Sequence, residues 1–305
     1  MRVMITGSNS LLGKSIWELT PQRSAILLTH SPSHKPTFSR QSCAPLDVRD
    51  GSSVARLMRQ FRPDWTLHLA AISDVEACES SPDIAEEVNV HGTINILKYA
   101  KKYGSGILYI STNGVFAGNA PPYAESRKPH PLHIYGKTKY AAEQLTKNAR
   151  VPWMIVRLMT LYGWQPEGTR INPVTWAIEK LQRNESLNMV NDAFINPLYA
   201  PSAADAVWKL LTGSARGIYH VAGKSKVSRY AWTRAIARVF GFDPSLVHPV
   251  PSSFFPSVTP RPRDTTFVTR KLERSVAWKP LSLTQGLTQM LKHRKTEGKR
   301  LKQHA

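Results

Sequence analysis

Sulfur is scarce in this chain: Cys43 and Cys78 are the only cysteines among 305 residues, far apart and outside any CxxC or Cys/His cluster. A disulfide framework and a thiolate zinc site are thereby excluded, and both thiols are expected to be reduced. The ten histidines form no HExxH-type pair, so no metal site is expected and each histidine reads as solvated or structural. Long apolar runs are missing too. None approaches the roughly 20 residues of a membrane helix. A first strand beginning at Arg2 leaves no room for a leader, so the expected location is cytoplasmic, with no membrane contact. No internal repeat is present. Acid is in short supply: 21 Asp+Glu face 41 Lys+Arg, a formal charge of +20. Such a charge attracts phosphates and polyanions and keeps nucleic acid among the partners to consider, although the interleaved aromatic and basic pattern of a nucleic-acid module is absent. Much of the excess sits in Lys292–Lys302, with six Lys/Arg against one Glu. Residues 291–305 are expected to form an unstructured basic tail.

What the chain does contain is a rhythm. Short apolar runs alternate with longer amphipathic segments, which predicts an α/β fold of Rossmann type, a doubly wound and mostly parallel sheet covered by helices. Strands are expected near 2–6, 25–29, 66–71, 106–111 and 153–158, and helices near 11–19, 51–61, 83–103 and 133–149. Asp50 is placed to cap the second helix and Pro82-Asp83 to open the third. After Tyr162-Gly163 prolines break the chain into shorter pieces, with helices near 173–183, 203–212 and 228–240 and a strand near 217–221. The expectation is a dinucleotide-binding lobe over 1–165 with a return segment near 196–225, and a smaller carboxyl-terminal substrate lobe from 166–195 and 226–290. The Pro- and Ser-rich stretch 241–275 is expected to be an irregular loop that touches substrate.

Gly7-Ser8-Asn9-Ser10-Leu11-Leu12-Gly13 follows the first strand and opens the first helix. Gly7 and Gly13 fit the first and last glycines of a dinucleotide fingerprint. One permits the tight turn and the other close helix–strand packing, and the helix amides near Leu11 and Leu12 then face a pyrophosphate. Ser10 stands where a middle glycine lets the backbone approach the phosphates, and its hydroxyl is expected to meet the phosphate instead. About 20 residues past the turn a carboxylate would bind a free ribose 2′-hydroxyl. The segment Leu28–Lys35 has no acid but carries His30 and Lys35, with Arg40 beyond. That suits a 2′-phosphate, so NADP(H) is favoured over NAD(H), while Lys35 and Arg40 read equally well as surface charges. Asp47 either meets the adenine or serves as a turn residue. Val48, Ala70, Ala71 and Asn89 complete the candidate cofactor set.

Of the ten tyrosines only Tyr135 has lysine four positions later, Lys139, at the start of a helical pattern through Ala141, Ala142 and Leu145. Residues four apart share a helix face, so the ammonium is expected beside the phenol, making it a usable acid near neutral pH. Upstream, a strand closing on Ser111-Thr112 brings a hydroxyl to the sheet's carboxyl edge. The Gly7 turn, Ser111-Thr112-Asn113-Gly114-Val115-Phe116-Ala117-Gly118, Tyr123-Ala124-Glu125 and the run Pro131–Lys139 together resemble the extended short-chain dehydrogenase/reductase superfamily. More narrowly they resemble the dTDP-4-dehydrorhamnose reductase family. Arg157–Gly163, Pro197-Leu198-Tyr199 and Arg261-Pro262 extend the similarity over most of 2–290.

The resemblance implies NAD(P)H-dependent reduction of a 4-keto group on a nucleotide-linked deoxysugar. Thr112 would orient the carbonyl, Tyr135 would donate the proton, and Lys139 would hold the nicotinamide ribose and stabilise the phenolate. Ser111, Asn113, Val115, Phe116, Trp164 and Arg261 would lie on the substrate side, with Ser111 alternatively satisfying nearby backbone groups. The family pattern is broken by Ser10 for glycine, Asn113 for aspartate and Gly114 for tyrosine. The last two flank the active site and leave the sugar open. Two other readings use the same residues: an epimerase or dehydratase that retains its cofactor, and a non-catalytic NADP-binding regulatory subunit similar to that of methionine adenosyltransferase. Pairing as a homodimer stays open.

Overall fold

Apolar runs rich in Val, Ile and Leu become strands here because their side chains can be buried on both faces of a sheet. The computed structural model describes residues 1–33, 43–255 and 259–302, of which 294–302 are backbone only. Its first half runs β1 (Arg2–Thr6), α1 (Leu11–Glu18), β2 (Ala25–His30), β3 (Cys43–Pro45), α2 (Gly51–Phe61), β4 (Trp65–His68), α3 (Val75–Ser80) and α4 (Pro82–Glu86). It continues through α5 (Gly92–Tyr103), β5 (Gly106–Thr112), α6 (Ile134–Asn148) and β6 (Trp153–Leu158). Next come β7 (Leu161–Tyr162), α7 (Pro173–Gln182), β8 (Leu187–Val190), β9 (Phe194–Ile195), β10 (Leu198–Tyr199) and α8 (Ala200–Thr212). The chain ends with β11 (Gly217–Val221), β12 (Val227–Ser228), α9 (Arg229–Phe240), β13 (Val247–Val250), α10 (Arg270–Ser275) and α11 (Leu283–Lys302).

Among the described residues seven strands form one parallel sheet in the order β11-β6-β5-β4-β1-β2-β3. The order reverses between β1 and β4, so successive connections leave toward opposite faces and open a crevice at the strands' carboxyl ends. The strand period of two divides the core. Val3 and Ile5 join Leu12, Ile16 and Trp208 on the face of α1 and α8, while Met4 joins Val54, Met58 and Ile96 under α2 and α5. This is the expected Rossmann-type α/β architecture. A separate cluster of Tyr162, Trp232, Ile236, Leu287 and Met290 packs α9 and α11 against β7. No helix among the described residues is long and apolar enough to cross a membrane.

Several features differ from the sequence expectation. The long helix expected over 83–103 is divided into α4, a π turn over Glu87–His91 and α5. Gly92 follows the turn, and a Cβ there would come within 2.6 Å of Val48 Cγ2, so α5 starts in close contact with the loop before α2. β3 and α3 were not expected, being too short to show a period. The 241–275 stretch contains β13, which pairs in parallel with β8, and α10. The basic run expected as an unstructured tail continues α11 as helical backbone to Lys302. Its sequence holds many good helix formers and no proline.

One ion pair fixes α6 over the sheet. Glu143 of α6 is fully buried and accepts from Arg157 of β6 through Nε at 2.8 Å and Nη2 at 2.7 Å. Ser111 of β5 donates its hydroxyl to the same carboxylate at 2.6 Å, and His220 Nε2 of β11 stands 3.2 Å from Arg157 Nη1. The carboxylate therefore sets the height of α6 above β5 and β6. Removing one partner of a buried pair leaves the other charge unsolvated and costs about 3–5 kcal/mol. Glu143→Ala is expected to lose stability of that order in urea denaturation; a loss below about 1 kcal/mol, the scale of a surface pair, would show that the pair does not hold the helix.

Candidate active site

The turn after β1 has the backbone that its glycines require. Gly7 adopts φ +68°, and a Cβ on it would lie 2.8 Å from Ala70 backbone atoms; a Cβ on Gly13 would lie 2.3 Å from Ser8 O. Ser10 corrects the expectation. Its hydroxyl donates to Gly7 O at 2.9 Å and accepts from Gly13 N at 3.1 Å, capping α1. A hydroxyl has one proton, and this one is committed inward, so it is not offered to a phosphate. Helix geometry leaves the Leu11 and Leu12 amides without intrahelical acceptors, and Ser10, Leu11 and Leu12 all line the cleft.

The other candidate cofactor residues divide. Ala71, Tyr135 and Lys139 line the same cleft, whereas Gly7, Gly13 and Ala70 shape its turn from behind. His30 is buried at the end of β2, with Nδ1 2.9 Å from Ser31 O. Asp47 is tied to the exposed Arg49 at 2.6 Å, and that hydrogen bond holds its carboxyl below the usual range. Val48 is core, its carbonyl accepting from Asn95. Asn89 does not line the cleft. From the π turn its Oδ1 accepts from Ile72 N at 2.8 Å, and its Nδ2 donates to Ile72 O and Thr138 Oγ1, both at 3.1 Å. It fastens the loop after β4 to α6. Lys35 and Arg40 lie outside the described residues.

The cleft measures about 1590 Å³ and runs from the start of α1, past the carboxyl ends of β5 and β6, to α7 and α9. Thr112 closes β5, and α6 begins one residue before Tyr135, capped by His133. Gly136 allows the close approach, since a Cβ there would sit 2.2 Å from Gly114 O. Tyr135, Lys139 and Thr112 all line the cleft.

The electrostatics differ from the expected acidified phenol. Burial pushes Tyr135 up to about 12, with the neighbouring Thr112 hydroxyl opposing. Burial also pulls Lys139 down to about 7, with Glu143 opposing. Lys139 Nζ sits 4.1 Å over the Tyr109 ring. The folded chain by itself therefore keeps the phenol protonated through the neutral range and leaves the lysine near its midpoint, because desolvation outweighs the pairing.

On the substrate side Asn113 lines the cleft and donates to Thr265 Oγ1 at 2.7 Å, tying the Thr112 turn to the 241–275 stretch. Arg261, from that stretch, lines the cleft and pairs with Glu76 of α3. Ser111 lines the cleft but spends its hydroxyl proton on Glu143. Val115 and Phe116 are core instead, fully buried, with Phe116 stacked 4.1 Å from Tyr123. Trp164 points away and donates to Met290 O at 2.8 Å. Their apolar character was the signal, and it marked packing. The sequence reading passed over Arg170, Arg229, Trp232 and His133, all of which line the cleft. Only the fold brings them there. For His133 one signal existed, the missing side chain at Gly114.

The family described as RmlD substrate binding domain matches residues 1–296. Methionine adenosyltransferase 2 subunit beta of Xenopus tropicalis is 31% identical over 280 residues, covering 90% of this chain and 82% of that protein. A probable low-salt glycan biosynthesis reductase of Haloferax volcanii is 26% identical over 252 residues, covering 81% of this chain and 83% of that protein. Among solved structures, dTDP-4-dehydrorhamnose reductase of Bacillus anthracis in complex with NADP superposes with a TM-score of 0.87 at 29% identity, over 96% of this chain and 99% of that one.

Lys139 gives the cleft a measurable pH signature. Its folded value of about 7 lies below the ordinary lysine value of 10.5. Between the two the unfolded chain binds the extra proton, so raising pH through that window stabilises the native state; below it the lysine is charged in both states and the dependence vanishes. Urea midpoints from pH 7 to 10 should thus rise for the native protein relative to Lys139→Met. Parallel curves would mean that Lys139 is solvated.

Proposed function

The chain belongs to the RmlD substrate binding domain family, and from that premise we propose that its cleft binds a nicotinamide dinucleotide and reduces a 4-keto group on a nucleotide-linked deoxysugar. The observation that carries the reading is the convergence of Thr112, Tyr135 and Lys139 on one cleft with the glycine turn after β1. The turn fits such a ligand: neither Gly7 nor Gly13 has room for a Cβ, and the first turn of α1 presents its amides at the cleft. NADP(H) is favoured over NAD(H), because β2 runs into His30-Ser31-Pro32-Ser33 without a carboxylate for a free 2′-hydroxyl.

When bound, the reduced dinucleotide supplies the hydride. The chain's own residues do the rest. Thr112 orients the carbonyl oxygen, and Tyr135, protonated at neutral pH, gives its proton to that oxygen as it gains negative charge. Carbon takes the hydride and oxygen the proton, giving an alcohol, and the phenolate recovers its proton from solvent. Lys139 stands one turn from Tyr135 to stabilise the transient phenolate and to hold ribose hydroxyls, with Glu143 favouring its charged form. Arg170, Arg229 and Arg261, which also line the cleft, suit the substrate's phosphates.

A second reading, a non-catalytic regulatory subunit, is favoured by the 31% identity to the Xenopus protein and by a Ser10 hydroxyl turned away from the phosphate path. NADPH absorbance followed against a panel of 4-keto sugar nucleotides separates the readings. Native protein should consume NADPH with at least one member, and Tyr135→Phe should lower the rate by roughly 10²-fold or more while still binding NADPH. Tight NADPH binding with no consumption would move the chain to the second reading, and product without net consumption would make it an epimerase.

A further inference from the structure

The family resembled here carries tyrosine where this chain has Gly114, and a neighbouring side chain occupies the space beside that glycine. A Cβ on Gly114 would lie 3.0 Å from His133 Cε1 and 3.4 Å from its Nε2. His133 is only 4% exposed, yet it lines the cleft. Its ring runs parallel to that of Tyr135, 8° apart in plane and 6.1 Å between centroids.

The protonation of this imidazole can be read from its contacts. Nδ1 accepts the Gly136 N–H at 3.0 Å as the cap of α6. An amide only donates, so Nδ1 must present a lone pair, and the proton of the neutral ring is on Nε2. Burial and the nearby Arg261 hold His133 below the usual histidine value, with Glu79 and Glu76 of α3 opposing. Thr112 Oγ1 lies 3.5 Å from the same Cβ position beside Gly114, and Tyr135 follows on the helix that His133 caps. Among the described residues Nε2–H has no protein acceptor.

We propose that His133 is a substrate-orienting residue whose Nε2–H donates to a neutral oxygen, a ring hydroxyl or carbonyl of the sugar, held beside the carbonyl that faces Tyr135. The identity of the substrate rests on the reductase reading above; the donor itself rests on the cap and the cleft. Gly114 and His133 then act as a pair. The glycine clears the space into which the imidazole projects, so this chain presents a nitrogen donor to its ligand at a position served differently in the family pattern. A donor that cannot find its acceptor in a ligand lacking that oxygen penalises the wrong sugar, and such unpaired groups discriminate strongly.

His133→Asn tests this without removing the cap, because the Asn side-chain oxygen accepts from the same helix amide. Thermal midpoint and NADPH affinity should be retained, while kcat/KM for the responsive keto-sugar nucleotide falls about tenfold, the worth of one lost hydrogen bond. Unchanged kcat/KM in the folded variant would overturn the proposal. A second measurement does not need turnover: in native protein with NADP⁺, the His133 Nε2 ¹⁵N resonance should shift when dTDP-glucose is added. A resonance that stays fixed while the sugar nucleotide binds would overturn the donor role even if the protein is a reductase. A shifted resonance in a protein that consumes no NADPH would support the donor and sink the reductase reading alone.

Discussion

Glu143 keeps a charge where no water reaches it, and the cleft depends on how that charge is satisfied. Both oxygens are taken, by two guanidinium nitrogens of Arg157 and by the Ser111 hydroxyl. Ser111 immediately precedes Thr112, and Glu143 lies two turns beyond Tyr135 on the same helix. The contacts that satisfy the carboxylate thus also set the threonine hydroxyl against the phenol. Asn89 secures the other flank by joining the loop after β4 to Thr138. A buried pair of this kind adds little net stability over an apolar replacement, and its value lies in allowing one arrangement of α6.

Desolvation governs the chemistry inside the cleft. It keeps the proton on Tyr135 and brings Lys139 close to neutrality, and it holds His133 and the buried His68 in their neutral forms. The wall that would meet a carbonyl therefore holds the neutral Tyr135 and His133 beside a Lys139 near its midpoint, while Arg170, Arg229 and Arg261 come from the carboxyl-terminal half of the chain. Such a division suits a ligand with an uncharged reacting end and an anionic handle. Ser10 adds a constraint of its own, since its hydroxyl is spent inside the turn, donating to Gly7 O and capping α1 at Gly13 N.

The mostly parallel α/β sheet and the glycine turn after β1 were legible in the sequence because each is fixed by local periodicity or by one turn, and so was the four-residue spacing that puts Tyr135 and Lys139 on one face of α6. What was not legible depends on distant packing. Asn89 looked like a cofactor contact, but its partners Ile72 and Thr138 lie 17 and 49 residues away. Val115 and Phe116 sit beside the motif in sequence and point into the core in space, and Trp164 turns to Met290. The acidified phenol failed for the same reason: spacing brings a lysine to the same face, yet only burial decides which proton each group keeps. His133 was passed over as one of ten scattered histidines, and its importance emerges only when Gly114 is seen next to it.

The most direct test is a crystal structure with NADP⁺. The pyrophosphate is predicted at the first turn of α1, with the nicotinamide ring in van der Waals reach of the Tyr135 hydroxyl and its ribose on Lys139. A dinucleotide bound elsewhere, or no bound dinucleotide at saturating concentration, would contradict the assignment of this cleft as an oxidoreductase site.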